Sequence, residues 1–135
     1  MRHLILTLMV AAVAFSNVAN AAVVIEDVQL RYGIGNRPSV IYGTFTNHSN
    51  APVYLIKVDS PAFGRIEMHN HIHDGNIMRM RKIERITLPP YKAVSLKSGG
   101  LHLMAFQKAE QKDIQITFTF DNAPPQTLSV GVIGK

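Results

Sequence analysis

The stretch "SVIYGTFTNHS", residues 39–49, decides the fold class. Its side chains alternate in character and are rich in β-branched and aromatic types, the signature of a strand with two different faces. "DIQITFTF", residues 113–120, repeats the pattern. Further strand candidates are 23–30, 52–58, 63–72, 77–83, 84–88, 92–97, 101–106 and 126–133. Turn-forming runs separate them: "GIGNRP", "NHSNAP", "HDGN", "LPPYK", "KSGG" and "DNAPP". No window of twelve or more residues carries helical periodicity. Many short strands at this spacing predict a single antiparallel β-sandwich, with no repeat and no interdomain linker.

The 135 residues suit one domain; 47% are hydrophobic and 17% charged, a globular composition. The first 21 residues, "MRHLILTLMVAAVAFSNVANA", read differently from the rest. A basic start at Arg2, an apolar run from Leu4 to Phe15 and the small-x-small ending Ala19-Asn20-Ala21 predict a secretory signal peptide over 1–21. The folded domain is then 22–135, outside the cytoplasm, and a periplasmic location is expected. The sequence has no cysteine, so it offers no thiol for a lipid anchor. Without Arg2 the balance is 13 Lys and Arg against 9 Asp and Glu, a net +4. The densest basic run, "RMRKIER" at 79–85, alternates with Ile and Met and reads as the wet face of a strand. It suits an acidic protein surface rather than nucleic acid, which calls for stacking aromatics as well.

The chemistry gathers in "EMHNHIHDGNIMRMRK", residues 67–82. An Asp-Gly pair between two strand-like runs predicts a tight hairpin. With Asp74 and Gly75 as its loop, His71 faces Met78 and His69 faces Met80. Side chains two apart share a face, so His69, His71, Met78 and Met80 all point one way and Arg79 and Arg81 the other. Downstream, "GGLHLMAF" places His102 and Met104 two apart on one face of another strand. Beyond residue 21 the chain has five His and four Met, and all but His48 lie between Met68 and Met104.

Thioether sulfur is a soft ligand with no proton to lose. It selects Cu(I), while imidazole serves copper in either oxidation state. Zinc prefers Cys, His and carboxylate, and blue copper needs a Cys thiolate. Each Met alone is more often a core filler, and each His alone more often a hydrogen-bonded histidine. Two His/Met pairs on strand faces are harder to attribute to packing.

The spacing His69-x10-Met80-x21-His102-x-Met104 resembles that of the periplasmic copper chaperones of the PCuAC family. "IEMHNHIHDGNIMRMRKIERITLP" and "VSLKSGGLHLMAF" are similar to core segments of that family, and the likeness runs over roughly 22–133. The resemblance implies a cupredoxin-like Greek-key β-sandwich. It implies an exposed Cu(I) site of His69, Met80, His102 and Met104, and copper delivery towards cytochrome c oxidase or another copper chaperone. The chain shows no long His/Met-rich tail after "VGVIGK", so any Cu(II) bound would need other ligands; His71 and Met78 are accessory candidates.

No G-x-S-x-G, Cys nucleophile or H-E-x-x-H motif is present. The sequence therefore reads as a copper carrier, not an enzyme. A monomer is expected, with no membrane span once the signal is removed. The competing classes are an exported interaction domain whose Met/His cluster is packing, and a copper redox protein.

Overall fold

The computed structural model describes residues 22–109 and 113–133. The expected signal segment, 1–21, lies outside the described residues. Ten strands account for the chain in order: β1 (Val23–Arg31), β2 (Ser39–Asn47), β3 (Val53–Asp59), β4 (Phe63–Asp74), β5 (Ile77–Ile83), β6 (Ile86–Leu88), β7 (Ala93–Leu96), β8 (His102–Lys108), β9 (Ile114–Asp121) and β10 (Gln126–Ile133). No helix forms among the described residues, so none there is long and apolar enough to cross a membrane.

The hydrogen-bonded order is β5-β4-β8-β2-β1-β10-β9-β3-β6, with β7 also pairing β2. It forms a β-sandwich of the expected cupredoxin-like kind. β5, β4, β8, β2, β7 and β1 build one layer, and β10, β9, β3 and β6 the other. All pairings are antiparallel except β1 with β10, where Gln29 faces Gly131. The expected purely antiparallel arrangement fails there for a topological reason. A parallel pair needs a long crossover connection, and nearly the whole domain lies between these two strands.

Alternation makes the core. In β2, Ser39, Ile41, Gly43, Phe45 and Asn47 turn inward. In β9, Ile114, Ile116, Phe118 and Phe120 do the same. Phe45 meets Phe118 and Phe120 edge-on across the sandwich, at ring-centroid distances of 5.4 and 6.3 Å. Edge-to-face pairs of this kind add about 0.5–1.5 kcal/mol to the area they bury. On β4 and β8, Met68 and Leu103 are neighbours and both are buried. The residues flanking them in sequence are thereby turned to the outside.

The β4–β5 hairpin differs from expectation by one residue. Asp74 pairs with Ile77, so Gly75 and Asn76 form the loop. Gly75 has φ +62°, and Asn76 is not in the positive-φ region. A type I′ turn needs positive φ at both central residues, whereas Gly followed by any residue suits type II′. The turn therefore takes Gly first and leaves Asp74 in the strand. The rungs become His73–Met78, His71–Met80 and His69–Lys82. The expected opposition of His69 and Met80 is corrected to His71 and Met80. Because the shift moves pairing by an even step, both strands keep their faces. β4 pairs β8 only as far as His69–His102, so the hairpin tip extends beyond its neighbour as an arm.

Asn47, fully buried, ties the β2–β3 turn to β6. Its amide nitrogen donates to the carbonyls of Ala51 (2.8 Å) and Leu88 (2.9 Å), and its oxygen accepts from the Ser49 backbone N–H and hydroxyl. Ser49 Oγ also donates to the Ala51 carbonyl, so Asn47→Ala takes the side-chain donor from the buried Leu88 carbonyl, at about 1–3 kcal/mol for an unsatisfied buried group. Urea unfolding should show a loss of about that size; an unchanged midpoint contradicts the structural role.

Candidate metal centre

The outer face of β4, β5 and β8 collects the donors that the sequence singles out. A shallow cavity of about 290 Å³ is lined by His71 of β4, Met80 of β5, and His102 and Met104 of β8. Val40 and Tyr42 of β2, Arg37 and Pro38 just ahead of it, and the Ser98–Gly99 turn complete its walls. Three of the four expected ligands, Met80, His102 and Met104, thus share one cavity. His69 stands beside it, directly across the β4–β8 pairing from His102, with ring centroids 5.9 Å apart. His71 is nearer, at 5.0 Å from the His102 ring. Met78 and His73 lie further out on the exposed arm, and His48 is exposed just past β2. Met68 belongs to the core.

Hydrogen bonds fix which ring nitrogens are free. A backbone carbonyl can only accept, so the imidazole nitrogen facing it carries the hydrogen. The Gly100 carbonyl accepts from His102 Nδ1 at 2.9 Å and from His71 Nδ1 at 3.3 Å. In its neutral form each ring is left with a bare Nε2. His69 is held the other way: its Nε2 donates to the Glu67 carboxylate at 3.0 Å. Its Nδ1 is buried and has no partner. A buried nitrogen lone pair without a donor is rare in folded proteins, and a metal ion would satisfy it. Partners that orient a histidine through its second nitrogen are a recurring feature of metal sites.

Glu67 lies two residues before His69, on the same face. Besides His69 it meets Lys82 Nζ at 3.5 Å and Arg65 Nε at 3.4 Å. The hydrogen bond from His69, opposed by partial burial and aided by the two cations, holds its carboxyl below the usual range. His102 is only 5% exposed. Burial pushes its pKa below the ordinary imidazole value; the hydrogen bond to Gly100 works against this, and the neighbouring His71 and His69 reinforce it. His102 is thereby kept neutral, the form a metal needs.

Met80 is 54% exposed, so a core-filling role does not describe it. No group of three or more His, Asp or Glu side chains among the described residues is placed to hold a metal ion by itself. The thioethers are what make this cavity a plausible metal centre, and sulfur with imidazole suits Cu(I). The sequence reading overlooked Glu67 and Gly100. Strand alternation could have found Glu67, since it shares the face of His69. The role of the Gly100 carbonyl depends on how the 97–101 turn folds back and carries no side-chain signal.

The family of LpqE-like lipoproteins matches residues 23–132, and the chain belongs to it. This sequence has no cysteine to carry a thioether-linked lipid. A Rickettsia prowazekii (strain Madrid E) protein designated RP573 is 29% identical over 99 residues, 70% of this chain and 55% of its own length. The chain thus spans about half of that relative. Among solved structures, the copper-bound PCuAC domain from PmoF2 is similar at TM-score 0.68 and 23% identity, covering 82% of this chain and 92% of that domain. The solution structure of CuI-DR1885 from Deinococcus radiodurans is similar at TM-score 0.67 and 20% identity, covering 84% of this chain and 80% of that one. At these identities the likeness establishes the fold: the chain has the architecture of PCuAC domains.

The depressed pKa of His102 has a measurable consequence. Between its folded value and about 6.5, the unfolded chain takes up a proton that folded His102 resists. Stability from this source is complete above that range and is lost as pH falls through it. Glu67 acts in the same direction at lower pH, below its reference value of 4.5. Metal-free protein should lose thermal stability in two stages on acidification, and His102→Gln should flatten the upper stage alone. An upper stage equally steep in His102→Gln would assign it to another group.

Proposed function

We propose that this member of the LpqE-like family is an exported copper carrier. It holds one Cu(I) on the outer face of the β4–β5–β8 layer and hands it to another copper protein. The observation that carries this reading is the meeting of Met80, Met104 and His102 in one open cavity, with the His69 ring 5.9 Å from that of His102. Two structural neighbours, the copper-bound PCuAC domain from PmoF2 and CuI-DR1885, carry copper, which supports it. The ligand set is His69, Met80, His102 and Met104, as the resemblance to the PCuAC chaperones implies. Two neutral thioethers and neutral imidazoles favour Cu(I); Cu(II) would have to rely on the imidazoles alone.

The geometry fits a carrier better than an enzyme. A carrier must show its cargo to a partner, and the half-exposed Met80 leaves the site open on the arm side. The recipient is an exported copper protein, such as an oxidase subunit or a second chaperone. Export and the periplasmic location rest on the N-terminal signal pattern. The basic residues Arg79, Arg81 and Lys82 on the exposed strand beside the site suit an acidic docking surface.

Anaerobic titration of the chain from Ala22 should show one Cu(I) bound, with sulfur and nitrogen both present by X-ray absorption. Met80→Leu nearly preserves volume and should cost under about 1.5 kcal/mol of metal-free stability, yet weaken Cu(I) clearly. A shell of nitrogen and oxygen alone, or Met80→Leu with undiminished affinity, overturns the assignment.

A further inference from the structure

The β4 strand brings two imidazoles to the site, and the proposed ligand set uses only His69. We propose that His71 is also a direct copper ligand, so that a Cu(I) held by Met80, His102 and Met104 can exchange between an inner imidazole, His69, and an outer one, His71. This deepens the copper reading and rests on it.

Four observations converge on His71. It lines the cavity together with Met80, His102 and Met104. It lies directly across the hairpin from Met80, where opposed Cβ atoms are about 4.5–5.5 Å apart. Its ring is closer to that of His102 than the His69 ring is, 5.0 against 5.9 Å. Its Nδ1 hydrogen is committed to the Gly100 carbonyl, so the neutral ring carries its lone pair on Nε2.

The two histidines differ in access. His69 is anchored by Glu67 and offers only a buried Nδ1. His71 is part of the projecting arm, one rung beyond the last β4–β8 pair. With Met80, Met104 and His102, the two bring the neutral donors to five. Cu(I) is satisfied by fewer ligands than that, so one imidazole can leave as the other binds without the metal losing its thioethers. No net charge or redox change accompanies the exchange. The outer position brings copper to the exposed edge, where an incoming ligand can reach it.

The test uses the chain from Ala22 with His69→Ala, His71→Ala and the double variant, in anaerobic competition with a bicinchoninate chelator. Each single change should weaken Cu(I) by no more than about threefold, and the double by about a hundredfold or more, the non-additivity of groups that replace one another. Addition of Cu(I), which is diamagnetic, to 15N-labelled wild type should move the His71 Nε2 resonance. His71→Asn can still donate to the Gly100 carbonyl but has no imidazole. In the His69→Ala background it should be as deficient as alanine. Restored affinity there would show that His71 only tethers the arm and would overturn the inference. So would a His71 resonance indifferent to copper, or a His69→Ala variant as weak as the double. If wild type takes up no Cu(I), the copper reading itself falls; if it binds and only the His71 results fail, this inference alone falls.

Discussion

The placement of the site depends on the burial of Met68 and Leu103 side by side between the layers. Strand side chains alternate, so seating these two in the core turns Glu67, His69 and His71 outward on β4, and His102 and Met104 outward on β8. A slip of one residue would drive imidazoles into the core and expose the apolar pair. Burying polar rings without partners costs several times what a surface contact gains. The donor-bearing face is thus specified by residues that never touch it, and strongly, because the penalty for error is borne by the core.

Charge is handled in the same economical way. Thioethers are neutral, and burial keeps His102 neutral. Of the charges beside the donors, Arg37 lines the cavity itself, while Glu67 is matched by Lys82 and Arg65 and spends one acceptor position on His69. Arg79 and Arg81 alternate with Met78 and Met80 and so occupy the reverse face of the arm. That alternation keeps these two cations off the donor face, while the basic face stays open on the other side. A single backbone carbonyl, that of Gly100, sets the tautomers of two histidines at once.

Much of this was legible in the sequence because it follows from period-two alternation, which each strand carries within itself. All ten strands fall close to their expected positions, and Met80, His102 and Met104 meet on one face as expected. The register of the arm was not legible to the same degree. "HDGN" supports two loops, and the choice depends on backbone φ at two residues rather than on hydrophobic pattern. Both choices leave the faces intact, so the error is silent in any argument from alternation. It matters only for which histidine faces Met80. The parallel β1–β10 seam was also hidden, since it joins segments from opposite ends of the domain and neither strand advertises its partner.

The arm bears on the proposed carrier role, which asks one surface both to hold and to release. β5 is an edge strand with little burial, and edge strands invite unwanted pairing unless charged residues discourage it. Arg79, Arg81 and Lys82 supply that protection. The same lack of burial leaves Met80 half exposed, while His102 across the cavity is almost fully covered. The donors therefore form a gradient from a fixed inner imidazole to a loosely packed outer thioether. If copper is the cargo, as proposed, and is displaced one ligand at a time, the least buried donor is the first a partner can replace. The sandwich stays closed throughout, because none of its core side chains lies on the arm beyond Met68.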